Sequence, residues 1–162
     1  MTYQAPVRDY AFLLRDVLQL ERYADLPAFA DASIDTVDAV LEEAGKFTSE
    51  VLAPLNGVGD KEGCVWSPDF TVRTPSGFKD AYAKLVEGGW PGLGSDPTYG
   101  GQGLPHVVNV AFSEMSSSAN MAFSMYPGLT HGAYSAIVVG GTPEQKDLYL
   151  PKLASFQWAG TM

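Results

Sequence analysis

Residues 140–162 read GGTPEQKDLYLPKLASFQWAGTM, a helix start followed by a strand start, and the architecture turns on how the two are joined. Thr142 is placed to be an N-cap, Pro143 falls at N1 where a missing N–H costs nothing, and Gln145 at N3 completes a capping box. Glu144 sets negative charge at the positive end of the helix dipole. Leu148, Tyr149 and Leu150 give this helix an apolar face, and Pro151 is expected to end it. Phe156, Trp158 and Gly160-Thr161-Met162 then read as a strand that stops as it begins. A lone strand is not stable without a partner. The sequence therefore reads as the front part of something larger.

Upstream, apolar residues recur at helical spacing. Asp9 is a candidate N-cap for a helix reaching about Tyr23, with Phe12, Leu13, Val17 and Leu20 as its stripe; Pro27 breaks it. Ile34, Val37, Val40, Leu41, Ala44, Phe47 and Val51 mark a longer helix, capped by Ser33 or Asp31 and ended by Pro54 and Asn56-Gly57. Val65-Trp66 and Phe70 to Arg73 fit a short β-ribbon. Ser76 is the expected cap of a third helix, with Phe78, Tyr82, Leu85 and Val86 on one face and Gly88-Gly89 closing it.

Trp90 to Leu104 is a glycine- and proline-dense loop, which points to close approach of its backbone to another element or a ligand. Pro105 opens a fourth helix with Val108, Phe112, Met115 and Ala119 as its stripe. Pro127 opens a fifth, with Leu129, Ala133, Ile137 and Val138 apolar and Gly128 and Gly132 allowing close packing. The sum is an all-α bundle of five to six helices with an incipient strand at its C-terminus.

At 162 residues the chain is long enough for one domain with a real core. A net charge of −9 argues against a nucleic-acid or anionic-membrane surface, because both need basic patches. No apolar run approaches membrane-spanning length and the N-terminus is not a signal peptide, so a cytoplasmic protein is expected. One cysteine, Cys64, excludes an internal disulfide framework, and it is expected to be a buried or half-buried inert thiol.

No self-contained catalytic motif is present: no GxSxG elbow, Walker loop or HExxH. Gly101-Gln102-Gly103 begins a dinucleotide fingerprint, but His106 takes the last glycine position and no parallel-strand pattern surrounds it. His106 and His131 are too few for a metal site and read as helix-end histidines. Residues 57–63 have a calcium-loop flavour without its acidic ligands and read as a solvated turn. Ser116-Ser117-Ser118 serve tight packing or, in the functional alternative, face a ligand. Ser124-Met125-Tyr126-Pro127-Gly128 combines a thioether, an amphipathic aromatic and a glycine, good materials for an apolar pocket wall and equally for inter-helix core.

Together these segments resemble the N-terminal helical domain of the acyl-CoA dehydrogenase family, over essentially the whole chain. The opening Met1, Tyr3, Ala5-Pro6, Arg8-Asp9, Phe12 and Val17-Leu18 is similar to the N-terminal extension of the branch that includes 3-methylmercaptopropionyl-CoA dehydrogenase-like proteins. Pro54-Leu55-Asn56, Gly59-Asp60, Gly63, Pro75-x-Gly77-Phe78 and Gly88-Gly89-Trp90 continue the pattern. So do Tyr99-Gly100-Gly101-Gln102-Gly103-Leu104-Pro105 and the run from Gly141-Thr142 to Lys152-Leu153. One departure is Ser155-Phe156-Gln157, standing where the family usually has a Ser-Gly turn before the tryptophan.

The resemblance implies residues 1–30 as an N-terminal extension with a helix, 31–154 as the helical domain and 155–162 as the start of a middle β-domain that is missing here. It implies an FAD enzyme that desaturates an acyl-CoA thioester, with an electron-transfer flavoprotein as redox partner and a homo-oligomeric assembly. It implies no nucleic acid and no membrane insertion. It places no catalytic, cofactor-binding or metal residue in this chain, which alone is expected to be inactive and to retain no FAD. It carries part of the acyl-pocket wall onto Ser124, Met125, Tyr126, Gly128 and Gly132. A rival expectation is a non-catalytic helical binding or assembly module derived from the same family.

Overall fold

The computed structural model describes residues 3–161; the readings placed on Met1 and Met162 lie outside them. Its helices are α1 (Val7–Phe12), α2 (Ile34–Lys46), α3 (Ala53–Glu62), α4 (Phe78–Glu87), α5 (His106–Ala119), α6 (Met121–Gly140) and α7 (Pro143–Ala154). A two-stranded antiparallel ribbon pairs β1 (Val65–Trp66) with β2 (Val72–Arg73), Val65 opposite Arg73 and Trp66 opposite Val72. The fold is all-α, as expected, with this ribbon on its surface.

Ser33, rather than Asp31, caps α2: its Oγ accepts from the Thr36 N–H at 3.2 Å. The helix does not end at Pro54. A π-helical stretch, Phe47–Leu52, carries it without a break into α3. The wider π turn relieves the clash between a proline ring and the carbonyl four residues back, which is what normally breaks a helix. Residues 57–62 are consequently helix, not a solvated turn, and the rod stops at Gly63, whose φ is +60°. Within it Val37, Leu41, Ala44, Phe47, Thr48 and Leu52 are buried. Thr48, fully buried, satisfies its hydroxyl by donating to the Ala44 carbonyl at 2.8 Å.

The first helix departs further from expectation. Pro6, not Asp9, precedes it, and after Phe12 it widens into a π turn over Leu13–Val17. Gln19 then takes a left-handed conformation before a short 3-10 turn at Leu20–Tyr23. The buried face is Tyr10, Leu14 and Leu20, whereas Phe12, Leu13 and Val17 are exposed. An ion pair between Arg15 and Asp38 ties this segment to α2.

Gly77, not Ser76, precedes α4, because the position needs φ of +81° and a Cβ there would lie 2.7 Å from Leu55 Cδ2. Ser76 instead donates its backbone N–H to Glu62 Oε2 at 2.8 Å, closing the ribbon against α3. Cys64, expected to be covered, is exposed beside β1.

Helix α5 has the expected stripe: Val108, Phe112, Met115 and Ala119 are all buried. Helix α6 starts at Met121, well before Pro127, which lies inside it. The start is set by Asn120. Its Oδ1 accepts from the Phe123 N–H at 3.0 Å, while its Nδ2 donates to the Leu52 carbonyl at 3.2 Å. At 1% exposure this amide has both ends satisfied, one by its own helix and one by the π segment of the rod. Gly128 and Gly132 do not mediate close packing, since a Cβ at either would meet nothing within 4 Å.

Thr142 caps α7 with the full capping box: Thr142 Oγ1 accepts from the Gln145 N–H, and Gln145 Oε1 accepts from the Thr142 N–H. Pro151 lies inside this helix, which runs on to Ala154. Leu150 is buried with Leu153, Ala154 and Tyr134 in a small core between α6 and α7, whereas Leu148 and Tyr149 are exposed. Residues 155–161, read as an incipient strand, form turns and extended chain without a strand partner among the described residues. They lie across α6, the Gly160 N–H donating to Thr130 Oγ1 at 3.2 Å.

Two substitutions test this framework by urea denaturation. Asn120→Ala removes a cap and strands a buried carbonyl, and is expected to cost about 2–4 kcal/mol. Thr142→Ala, at an exposed cap, is expected to cost only about 1 kcal/mol.

Candidate functional site

Helices α5 and α6 meet at the Asn120 corner and diverge from it, leaving a cavity of about 200 Å³. From α5 come Asn109, Phe112, Ser113, Ser116 and Ser117; from α6 come Phe123, Ser124, Pro127, Gly128 and His131. Both sets repeat at three- and four-residue spacing, so each helix presents one face to the space. Leu85 of α4, Trp90 and Pro91 of the glycine-rich loop, and Phe156 complete the lining.

The walls differ in chemistry. One is aromatic: Trp90 and Phe112 stack with centroids 4.6 Å apart and planes at 10°, with Phe123 and Phe156 beside them. The other carries serines of both helices. Ser116 is only 7% exposed, and the Oγ atoms of Ser116 and Ser124 are buried with no hydrogen-bond partner. Pro127 adds to this, because its missing N–H cannot pair with the Phe123 carbonyl one turn back.

Of the residues read as a pocket wall, Ser124 and Gly128 line the cavity. Met125 is 65% exposed and lies outside the lining, as does Gly132. Tyr126 is 46% exposed and meets Tyr82 edge-on at 5.7 Å. Burial, with Tyr126 adding a smaller push, raises the Tyr82 phenol to about 12, so it stays neutral near pH 7.

Asn109, Ser113, His131, Trp90 and Phe156 were not singled out as a pocket. Their signal was the repeat of Asn109, Ser113 and Ser116 one position after Val108, Phe112 and Met115 of the apolar stripe of α5. Phe156 takes a left-handed φ of +53°, where glycine is at home and where the family pattern has a Ser-Gly turn. Its ring stacks on Tyr82 at 6.0 Å and closes one side of the cavity.

The backbone of the glycine-rich loop packs closely against itself. Its backbone closes through Gln102 N–H to the Gly92 carbonyl at 2.8 Å and Gly103 N–H to the Ser95 carbonyl at 2.9 Å. A Cβ at Gly101 would collide with the Ser95 carbonyl. This leaves no open cradle for a dinucleotide phosphate. Among the described residues no group of three or more His, Cys, Asp and Glu could hold a metal ion. None of the helices described is long and apolar enough to cross a membrane.

His131 lies against His106, ring centroids 6.3 Å apart and planes at 11°. Burial, and secondarily the neighbouring His106, holds the His131 imidazole below its ordinary value of 6.5. The folded chain therefore binds this proton less readily than the unfolded chain does. Its contribution to stability is complete above pH 6.5 and is lost as the pH falls through the folded value. Melting temperatures at pH 7.5 and 5.5 should differ by more in the unsubstituted chain than in His131→Gln; the depressed carboxylates Glu62, Asp69 and Glu144 titrate below this window.

Comparison with known proteins gives this geometry a family. A model of the acyl-CoA dehydrogenase N-terminal domain matches residues 34–157. The whole chain is 41% identical to the 3-methylmercaptopropionyl-CoA dehydrogenase of Ruegeria pomeroyi and covers 27% of that protein. A butyryl-CoA dehydrogenase of Syntrophomonas wolfei is 34% identical over 99% of the chain, again 27% of its own length. The mitochondrial isovaleryl-CoA dehydrogenase of Pongo abelii is 29% identical over 79% of the chain and 30% of its length. The chain thus spans about a quarter of the length of the curated relatives that it matches. On the family match, the chain belongs to the acyl-CoA dehydrogenase family, within which it corresponds to the N-terminal helical domain.

Proposed function

We propose that this chain acts as the N-terminal helical part of an FAD-dependent acyl-CoA dehydrogenase and contributes one wall of the acyl pocket. The observation that carries the reading is the cavity between α5 and α6, open enough to admit a chain and faced by aromatic rings. Apolar contact along Trp90, Phe112 and Phe123 would hold an acyl chain and exclude water from it. The reaction removes a proton from the carbon next to the thioester and passes the neighbouring hydrogen, as hydride, to flavin. No residue of this chain is assigned to either transfer. Because the glycine-rich loop is closed on itself, FAD would be held by segments outside this chain.

The chain alone would therefore be silent. Its exposed apolar residues, Val139, Leu148 and Trp158 on the α6–α7 side and Met121 and Met125 near the cavity, suit packing against further domains or subunits. Transfer of electrons onward to an electron-transfer flavoprotein belongs to the same reading.

The test is the complete product of the gene encoding this chain, purified with FAD and assayed with acyl-CoA thioesters and an artificial electron acceptor. Turnover is expected, with none from residues 1–162 alone. Gly128→Leu sharpens the test. Gly128 lines the cavity and a Cβ there meets nothing within 4 Å, so the larger side chain is expected to take up cavity space while favouring the helix by about 1 kcal/mol. Acyl-CoA oxidation should fall at least about tenfold with the melting temperature unchanged or raised. Undiminished turnover in Gly128→Leu would remove the cavity from the reading.

A further inference from the structure

Among the described residues that line the cavity between α5 and α6, His131 alone has a side chain that titrates near neutral pH. It is half-buried, and α6, from Met121 to Gly140, contains no Asp, Glu, Lys or Arg. The elements packed on α6 bring Glu114 and His106 of α5, Asp60, Lys61 and Glu62 of α3, and Glu144, Lys146, Asp147 and Lys152 of α7. Around the cavity and its loop stand Lys79, Asp80, Lys84 and Glu87 of α4 and Asp96. Of all these groups only His106 acts on the His131 imidazole, from a nearly parallel ring 6.3 Å away, and it acts against a positive charge. No carboxylate offsets it. An imidazolium at this wall therefore depends on the water that still reaches it.

Resting on the acyl-pocket reading, we infer that filling this cavity with an apolar acyl chain is coupled to loss of a proton from His131, so that acidification loosens the hold on long chains. An acyl chain lying along Trp90, Phe112 and Phe123 displaces the water beside His131. The neutral imidazole tolerates this, whereas the imidazolium loses its hydration with no acid to replace it. Binding and protonation thus exclude one another, and each weakens the other by the same factor. The sign is fixed. In the empty cavity His131 titrates below 6.5, and in the filled one lower still, so affinity is full above 6.5 and falls as the pH drops through the empty-state value. One proton limits the loss to about tenfold per pH unit. His106, exposed at the start of α5, sets where the loss begins, because its charge adds to the repulsion.

The experiment uses the complete flavin-loaded gene product and S-alkyl CoA thioethers, which bind without being oxidised. The CoA phosphates titrate in the same range but equally for every chain length. The quantity read is therefore the ratio of dissociation constants of the ethyl and octyl thioethers at pH 7.5 and pH 5.0, both below the melting temperature. The preference for octyl should shrink by about threefold or more at pH 5.0. Octyl binding should also release more protons than ethyl binding, read calorimetrically in two buffers of unlike ionisation enthalpy. In His131→Gln the octyl preference should no longer depend on pH. In His106→Gln the dependence should persist with its midpoint moved to higher pH, a displacement that loss of packing alone would not produce. An octyl preference that is constant with pH, or one that shrinks as much in His131→Gln, would overturn the inference and leave the acyl-pocket reading intact. If no longer chain is preferred at any pH and no acyl-CoA is oxidised, the underlying reading fails and the inference falls with it.

Discussion

One buried amide fixes how the helices of this chain meet. Asn120 has almost no contact with solvent, yet its oxygen caps α6 and its nitrogen holds the Leu52 carbonyl in the π segment of the central rod. A buried polar group left unpaired is expensive, so this position admits few arrangements of the three helical segments around it. Because Asn120 sets where α6 begins, it also sets which α6 residues turn toward α5. Ser124, Pro127, Gly128 and His131 reach the cavity because the helix starts at Met121. Starting it at Pro127 would discard the turn that carries Phe123 and Ser124.

Where the sequence was legible, the signal was local. The Thr142 capping box, the ribbon at Val65-Trp66 and the buried stripe of α5 each depend on neighbours within one turn or one hairpin. The misreadings share another cause. A π turn inserts one residue into the ladder and rotates everything after it by about 100°. Such turns at Leu13–Val17 and Phe47–Leu52 therefore displaced the apolar stripe of the first helix and let the second continue past Pro54. Prolines 54, 127 and 151 all sit inside helical segments, where the local rule places a break.

The candidate site was legible by halves. The turn materials at Ser124 and Gly128 pointed to the cavity, but nothing local separates them from Met125 and Tyr126, which face outward. The α5 contribution was visible as periodicity and was read as packing. Phe156 could not be read at all without the fold. Its left-handed backbone costs about 1–2 kcal/mol for a residue with a Cβ. The Tyr82 ring stacked on it, and the Tyr82 hydroxyl that reaches the Phe156 carbonyl at 3.5 Å, offset that strain. Strain retained where a side chain closes a cavity fits a role in shaping that cavity.

The segments that line the cavity span Leu85 to Phe156, less than half of the chain, and every one of them is anchored to the rest by contacts within the chain. Trp90, Phe47 of the rod and Phe112 of α5 pack as a three-ring cluster, and Tyr134 of α6 accepts from the Asp96 N–H of the glycine-rich loop. The wall is therefore preorganised by this domain, with no need for another domain to hold its rings in place. The outward face differs. Val139, Leu148 and Trp158 are exposed, the Trp158 ring lying under Lys152 Nζ at 4.0 Å and against Tyr149 at 5.8 Å. The cavity side is thus built from rings held by the chain's own contacts, and the opposite side carries exposed apolar residues.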